Sequence, residues 1–208
     1  MIVIPSSYLA PVSYYALLWA HGCEVCVEQY EYYVKQTLRS RAYIAMAHGK
    51  ECLTVPVVHS SGVKTPMRDI KISDHGNWRH LHWQALRTAY DKSPFFEFYA
   101  DEIAHFYEGR PTEWLMEFNL MLTQTVCNLL GIDVNLTLTD EYRAEGDFVD
   151  LRCETFDSAQ GEPYYQVFAE RNGFIGGLSI VDLLFNMGPE SLLILDKMKK
   201  TSLLVPSP

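Results

Sequence analysis

The sequence predicts an α/β fold: a mainly parallel or mixed sheet with flanking helices and a helical middle segment. Three observations predict it. Ile2-Val3-Ile4, an apolar run cut off at Pro5, is followed by a helical stretch and then by Val25-Cys26-Val27, which is how a sheet buried on both faces begins. Between Trp78 and Gly131, three successive segments carry apolar residues at helical spacing. The chain of 208 residues, 48% hydrophobic and 13% aromatic, suits a single domain over 1–208 with a core large enough to fold without disulfides.

The elements follow in order. Pro11 opens a first helix at its first turn, and that helix runs to about Ala20, ahead of Gly22. Glu31 to Arg41 is polar and reads as a loop or short helix. RAYIAMA and ECLTVPVV, either side of His48-Gly49-Lys50, read as a hairpin over Tyr43 to Val58, with Pro56 marking an edge or strand end. Ser60-Ser61-Gly62 breaks the chain before another strand candidate, RDIKI. Asn77 is placed to cap a helix from Trp78 to Tyr90, Ser93-Pro94 opens a second, and Pro111-Thr112 a third that stops at Gly131. NLTLT and YYQVF are strand candidates, and 141–163 reads as charged loop. Ser179-Ile-Val-Asp182 resembles a capping box, with Asp182 as the cap partner of a helix that ends at Gly188-Pro189.

Seventeen basic against 26 acidic residues give a formal charge of −9, which argues against general attraction to nucleic acid or anionic lipid. The first 20 residues lack a positive n-region and carry Pro5 and Pro11, so they read as core and not as a cleaved signal. No stretch approaches a membrane span, and a cytoplasmic protein without membrane insertion is expected. Five scattered cysteines suit reduced thiols. Cys23 and Cys26 form a C-x-x-C pair, but i and i+3 point to opposite faces of a strand and no second ligand pair follows. Buried thiols are therefore expected, and no metal site.

Candidate functional residues are few. His82 is the candidate general base, because imidazole titrates near neutrality. It shares a helical stripe with Trp78, Leu86 and Ala89, where a histidine is more often a satisfied core residue. Trp78, one turn before it, is a substrate-binding candidate. Lys35, Arg39 and Arg41 crowd one loop, and Lys64, Arg68 and Lys71 another; in an acidic protein they suggest a recessed anion site, with a solvated charged loop as the equal alternative. Glu28 and Glu31 stand ready to orient a base, bind a cation or pair with Lys35 and Arg39. Tyr8 lies at the exit of the first strand, where open α/β sheets bind ligands.

In order along the chain come Pro5-Ser6-Ser7-Tyr8-Leu9-Ala10-Pro11, Lys35-Gln36 with Arg39-Ser40-Arg41, and Leu53-Thr54-Val55-Pro56-Val57. Trp78, His82, Ala89-Tyr90 and Pro94-Phe95-Phe96 follow, then Tyr165-Gln166-Val167-Phe168 and Ser179 to Asp182. Together they resemble the WbqC-like family of bacterial proteins over nearly the whole chain. Family members often carry Gln-Pro-Asn ahead of the Tyr-Leu-Pro, where this chain has Ile4-Pro5-Ser6-Ser7, and many have Asn in place of Ser40. The resemblance implies a role in O-antigen or other surface-polysaccharide assembly: a glycyl or other acyl transfer to an activated amino sugar, with a nucleotide sugar as small-molecule substrate. It names no cofactor and brings no agreed catalytic residues. The rival expectation is a non-catalytic binding or scaffold protein with protein partners in a glycan pathway, using the aromatics of YDKSPFFEFYADEIAHFYEG as its contact surface.

Overall fold

The computed structural model describes residues 1–58, 64–153, 156 and 161–200. A four-stranded parallel sheet forms its centre, in the order β7-β2-β1-β8, with β1 at Ile2–Pro5, β2 at Val25–Glu28, β7 at Thr137–Leu138 and β8 at Val149–Asp150. β1 and β2 are buried at every position, as strands covered on both faces must be. Their register sets Ile2 beside Val25 and Pro5 beside Glu28, so both strands end at the same level.

Helix α1 (Val12–His21) joins β1 to β2 and is buried from Val12 to Leu18, and Tyr14 donates from its hydroxyl to the Pro5 carbonyl at 3.0 Å. The hairpin pairs β3 (Arg41–Met46) with β4 (Gly49–Thr54) and turns at Gly49, whose φ of 115° suits a residue without Cβ. It ends at Thr54: beyond Pro56, β5 (Val57–Val58) leaves it to pair with β6 (Lys71–Ile72). A proline has no N–H for the ladder, which is why pairing changes partner there. The Ser60-Ser61-Gly62 break lies outside the described residues.

The three middle helices are α2 (Trp78–Tyr90), α3 (Phe96–Glu108) and α4 (Leu115–Leu130). Gly131 closes α4 at φ 72° with its N–H returned to Asn128 and Cys127 carbonyls. Asn77 does not cap α2; it adopts a left-handed φ of 49° and its side chain accepts no bond from the helix.

Three further readings are corrected. The charged stretch 141–163 contains β8, recruited because Val149 and Leu151 alternate with Asp150 and Arg152 and the backbone edge of β1 at Ile2 and Val3 pairs with it. YYQVF forms no strand, because Gln166 turns its amide to Ile175 and Asp182 in place of a ladder. Asp182 is no cap partner: Ser179 caps α6 (Ile180–Met187) alone, and the Asp182 side chain is fully buried and bonded elsewhere. A short α5 (Ala169–Asn172) precedes α6, and α7 (Ser191–Lys200) packs against α1.

No helix among the described residues is long and apolar enough to cross a membrane. Cys26 is buried but Cys23 is exposed, which corrects the expectation for that thiol. Among the described residues no group of three His, Cys, Asp or Glu side chains is arranged to hold a metal ion.

Candidate functional site

The carboxyl ends of all four parallel strands carry polar residues, and they meet. Glu28, the last residue of β2, is completely buried, and its carboxylate accepts from the Tyr30 N–H (2.9 Å), Thr139 Oγ1 (2.7 Å), the Arg143 N–H (3.0 Å) and Arg152 Nη1 (3.3 Å). Thr139 follows β7 and Arg152 follows β8, so one carboxylate ties three strand ends together. Arg152 also forks onto Asp150, from Nε at 2.8 Å and Nη2 at 2.6 Å, and its guanidinium lies 4.9 Å from the Tyr142 ring. Asp150 holds the Arg152 guanidinium firmly in its charged form, and Arg152 in turn lowers the Asp150 carboxyl pKa.

The loop after β2 continues the cluster. Arg39 donates to Glu31 from Nε at 2.8 Å and again from Nη2, with Nη2 also reaching the Arg152 carbonyl at 3.2 Å. Both side chains are nearly buried, and burial raises the Glu31 pKa against the lowering pull of Arg39. Asn119 of α4 clamps the other side, donating to Ser6 Oγ (3.0 Å) and the Arg39 carbonyl (2.9 Å). Ser40 pairs its hydroxyl with Tyr33 at 2.8 Å.

The guanidinium of Arg39 is committed to these partners at all three nitrogens, Nη1 meeting Thr37 Oγ1 at 3.4 Å. Lys35 is exposed, and Arg41 keeps a buried Nε with no hydrogen-bond partner. The second basic group is brought alongside, because the Met67 and Arg68 N–H groups donate to the Glu31 and Gln29 carbonyls. Arg68 then lies over the Tyr30 ring, Lys64 over Tyr32 and Lys71 over Trp114.

His82 is held apart from these charges, in an aromatic cluster. Its Nδ1 is 2.9 Å from the Tyr8 hydroxyl, which is 2.7 Å from that of Tyr107. Trp78 meets the imidazole edge-on at 5.1 Å between centroids. His82 is 6% exposed, and burial pushes its pKa down to about 4, with a hydrogen bond to the Thr54 backbone acting the other way. It is therefore neutral at pH 7. Tyr8, on the loop leaving β1, links this cluster to the strand-end loop, since its backbone N–H donates to the Leu38 carbonyl beside Arg39.

The structure thus gathers Glu28, Glu31 and Arg39 in one place and Tyr8, Trp78 and His82 in another, next to it, and leaves Lys35 at the surface. Asp150, Arg152, Thr139 and Asn119 were not anticipated. For the first two, the alternation Val149-Asp150-Leu151-Arg152 was the available signal.

Residues 6–166 match the WbqC-like protein family. The chain belongs to the WbqC-like family. An uncharacterized protein of Mycobacterium tuberculosis is 26% identical to this WbqC-like protein, an alignment that covers 91% of this chain and 94% of the relative. No solved structure matches the chain. The matched span begins at Ser6, where β1 gives way to the site, and takes in every residue of the charged cluster.

Proposed function

We propose that this WbqC-like protein is a transferase of surface-polysaccharide assembly, of the O-antigen type, that places a glycyl or other acyl group on an activated amino sugar. The observation that carries the reading is the convergence of Glu28, Glu31 and Arg39 where β1 and β2 end, with the Tyr8 backbone N–H tied to the same loop at Leu38, in the place where parallel sheets take small ligands. In such a transfer the sugar amine attacks the acyl carbonyl carbon. The new C–N bond replaces the bond to the donor's leaving group, and the nitrogen gives up a proton.

Lys35 and Arg41, whose charges are not tied up by hydrogen-bonded partners among the described residues, hold the phosphates of the nucleotide sugar. Arg39 and Glu31 fix the loop that carries them, and Glu28 fixes its start. Tyr8 and Trp78 line the sugar pocket. His82 receives the proton: its imidazole is neutral, and it communicates with the site through the Tyr8 hydroxyl. Substrate has to displace the Trp78 or Tyr107 ring to come near it, because both cover the imidazole. The reading puts the protein in the cytoplasm, where nucleotide sugars are made.

The scaffold alternative draws on the aromatics of 90–109. Phe96, Phe106 and Tyr107 are buried there, and Phe98 is the strongly exposed ring of that stretch. That leaves little aromatic surface for a partner. The test is product formation: a panel of nucleotide amino sugars is incubated with glycine and ATP, or with an activated acyl donor, and followed by mass spectrometry. A sugar product heavier by one acyl group is expected, and it should be lost in His82→Gln, which fills the buried site better than Ala, while that variant still unfolds cooperatively. No product from any pairing would overturn the transferase reading.

A further inference from the structure

We propose that the cleft at the start of α2 is a binding site for a phosphate-class oxyanion, carried by Arg79 and Arg110. The cleft has a volume of about 180 Å³ and is lined by Asp74, Asn77, Arg79, His80 and Arg110 over the Trp78 and Tyr107 rings. That is below the roughly 300–1,000 Å³ of a drug-sized pocket and suits one tetrahedral anion or a single phosphate group.

The chemistry of the wall favours negative charge. α2 is 13 residues long, and its N-terminus carries the positive end of the helix dipole. Its first turn has no acidic residue, and Asn77 supplies no side-chain cap, so nothing on the helix itself answers that charge. Arg79 and His80 sit there instead, and it is Asp74, ahead of the helix, whose carboxylate answers the positive charge.

Arg79 gives an independent observation. It is 9% exposed, its guanidinium stacked 4.5 Å from the Trp78 ring and 6.0 Å from Phe118. Among the described residues it makes one hydrogen bond, from Nη1 to Asp74 Oδ1 at 3.1 Å, and its Nε is buried with no partner. A desolvated guanidinium with unused donors is costly to keep. Arg110 donates to the other oxygen of the same carboxylate, Asp74 Oδ2, at 2.8 Å. Two guanidinium groups therefore converge on one point, close enough that Arg110 lowers the pKa of Arg79, which burial already depresses.

Asp74 is the resident counter-charge, and its side chain is half exposed. An oxyanion bridging both guanidiniums displaces it to solvent, which costs little at that exposure. Glu108, exposed at the rim, is the other carboxylate on the cleft and the main source of repulsion. Because the site binds inorganic phosphate without any transfer step, its failure would leave the transferase reading standing, and the reverse also holds.

The test is thermal unfolding in inorganic phosphate against chloride of equal ionic strength, for the wild type, Asp74→Asn and Arg110→Ala. Phosphate at ten times its dissociation constant raises the melting temperature by roughly 3–6 °C in the wild type. Asp74→Asn, which removes the competing carboxylate, binds at least about tenfold more tightly, a free-energy change of about 1.4 kcal/mol. Arg110→Ala, a change at an exposed side chain, loses the shift. The proposal is overturned if the wild type shows no shift above chloride, if Asp74→Asn binds no tighter, or if Arg110→Ala keeps the full shift, as general salting-out would.

Discussion

Asp182→Asn should change how the protein's stability depends on pH. Asp182 is fully buried in α6; Tyr164 Oη and Gln166 Nε2 donate to Oδ2 at 2.7 and 3.0 Å, and Oδ1 has no hydrogen-bond partner. Tyr90 also faces the carboxyl, and among the described residues no arginine or lysine is bonded to it. Burial pushes its pKa from the ordinary 3.8 up to about 6, against the lowering effect of the donors around it. A carboxyl whose folded pKa is raised gives stability that is fully present below 3.8 and is lost as pH rises through about 6. At about 1.36 kcal/mol per pH unit, that interval makes roughly 3 kcal/mol. The wild type should therefore lose roughly 3 kcal/mol from this residue between pH 4 and pH 8. The isosteric amide loses none there, though its NH₂ costs about 1–2 kcal/mol because it must find an acceptor. Urea unfolding at a series of pH values measures the difference between the two proteins, in which all other titrations cancel. The variant should gain on the wild type mainly between about pH 4 and 6, overtake it within that interval, and stay ahead by roughly 1–2 kcal/mol above it. A difference constant within about 0.5 kcal/mol from pH 4 to 8 would refute the reasoning, since only an unperturbed carboxyl behaves that way.

Other perturbations follow from the strand-end cluster and the packing. Arg152→Met removes the cation from a carboxylate with no exposure and should cost about 3–5 kcal/mol in urea unfolding. Arg152→Met/Glu28→Gln should recover part of that loss, because it no longer leaves a bare buried charge. Gly188→Ala places a methyl group against the Phe95 ring at a φ of 50°, and should lower stability by more than about 1 kcal/mol in thermal or urea melts. For catalysis, the neutral state of His82 predicts no inflection in the rate profile near pH 6.5; one should appear only toward its pKa of about 4.

Much of the architecture was legible because it is written in apolar spacing. Ile2 to Ile4, Val25 to Val27 and the stripe Trp78, His82, Leu86 and Ala89 each need nothing but burial to be placed. The parts that were not legible depend on partners distant in sequence. Val149-Asp150 is two residues long and becomes a strand only because β1 offers it an edge. Asp182 looks like a cap by its spacing from Ser179, yet Tyr164 and Gln166 claim its carboxylate. At the site, Glu31 and Arg39 were identifiable as a charged pair eight residues apart, while the keystone Arg152 lies 124 residues from the Glu28 it neutralises. No local pattern encodes that distance. Lys35, by contrast, was chosen on charge alone, and charge says nothing about which way a loop side chain turns.

The account's central claim is that substrate binds at the carboxyl ends of β1 and β2. Titration calorimetry with a nucleotide-diphospho amino sugar tests it most directly, comparing the wild type with Lys35→Ala/Arg41→Ala. The account predicts one site per chain in the wild type and affinity weakened at least about tenfold in the double variant, with its melting temperature unchanged. Equal affinity in both proteins, or no binding by a folded wild type to any sugar nucleotide, would contradict it.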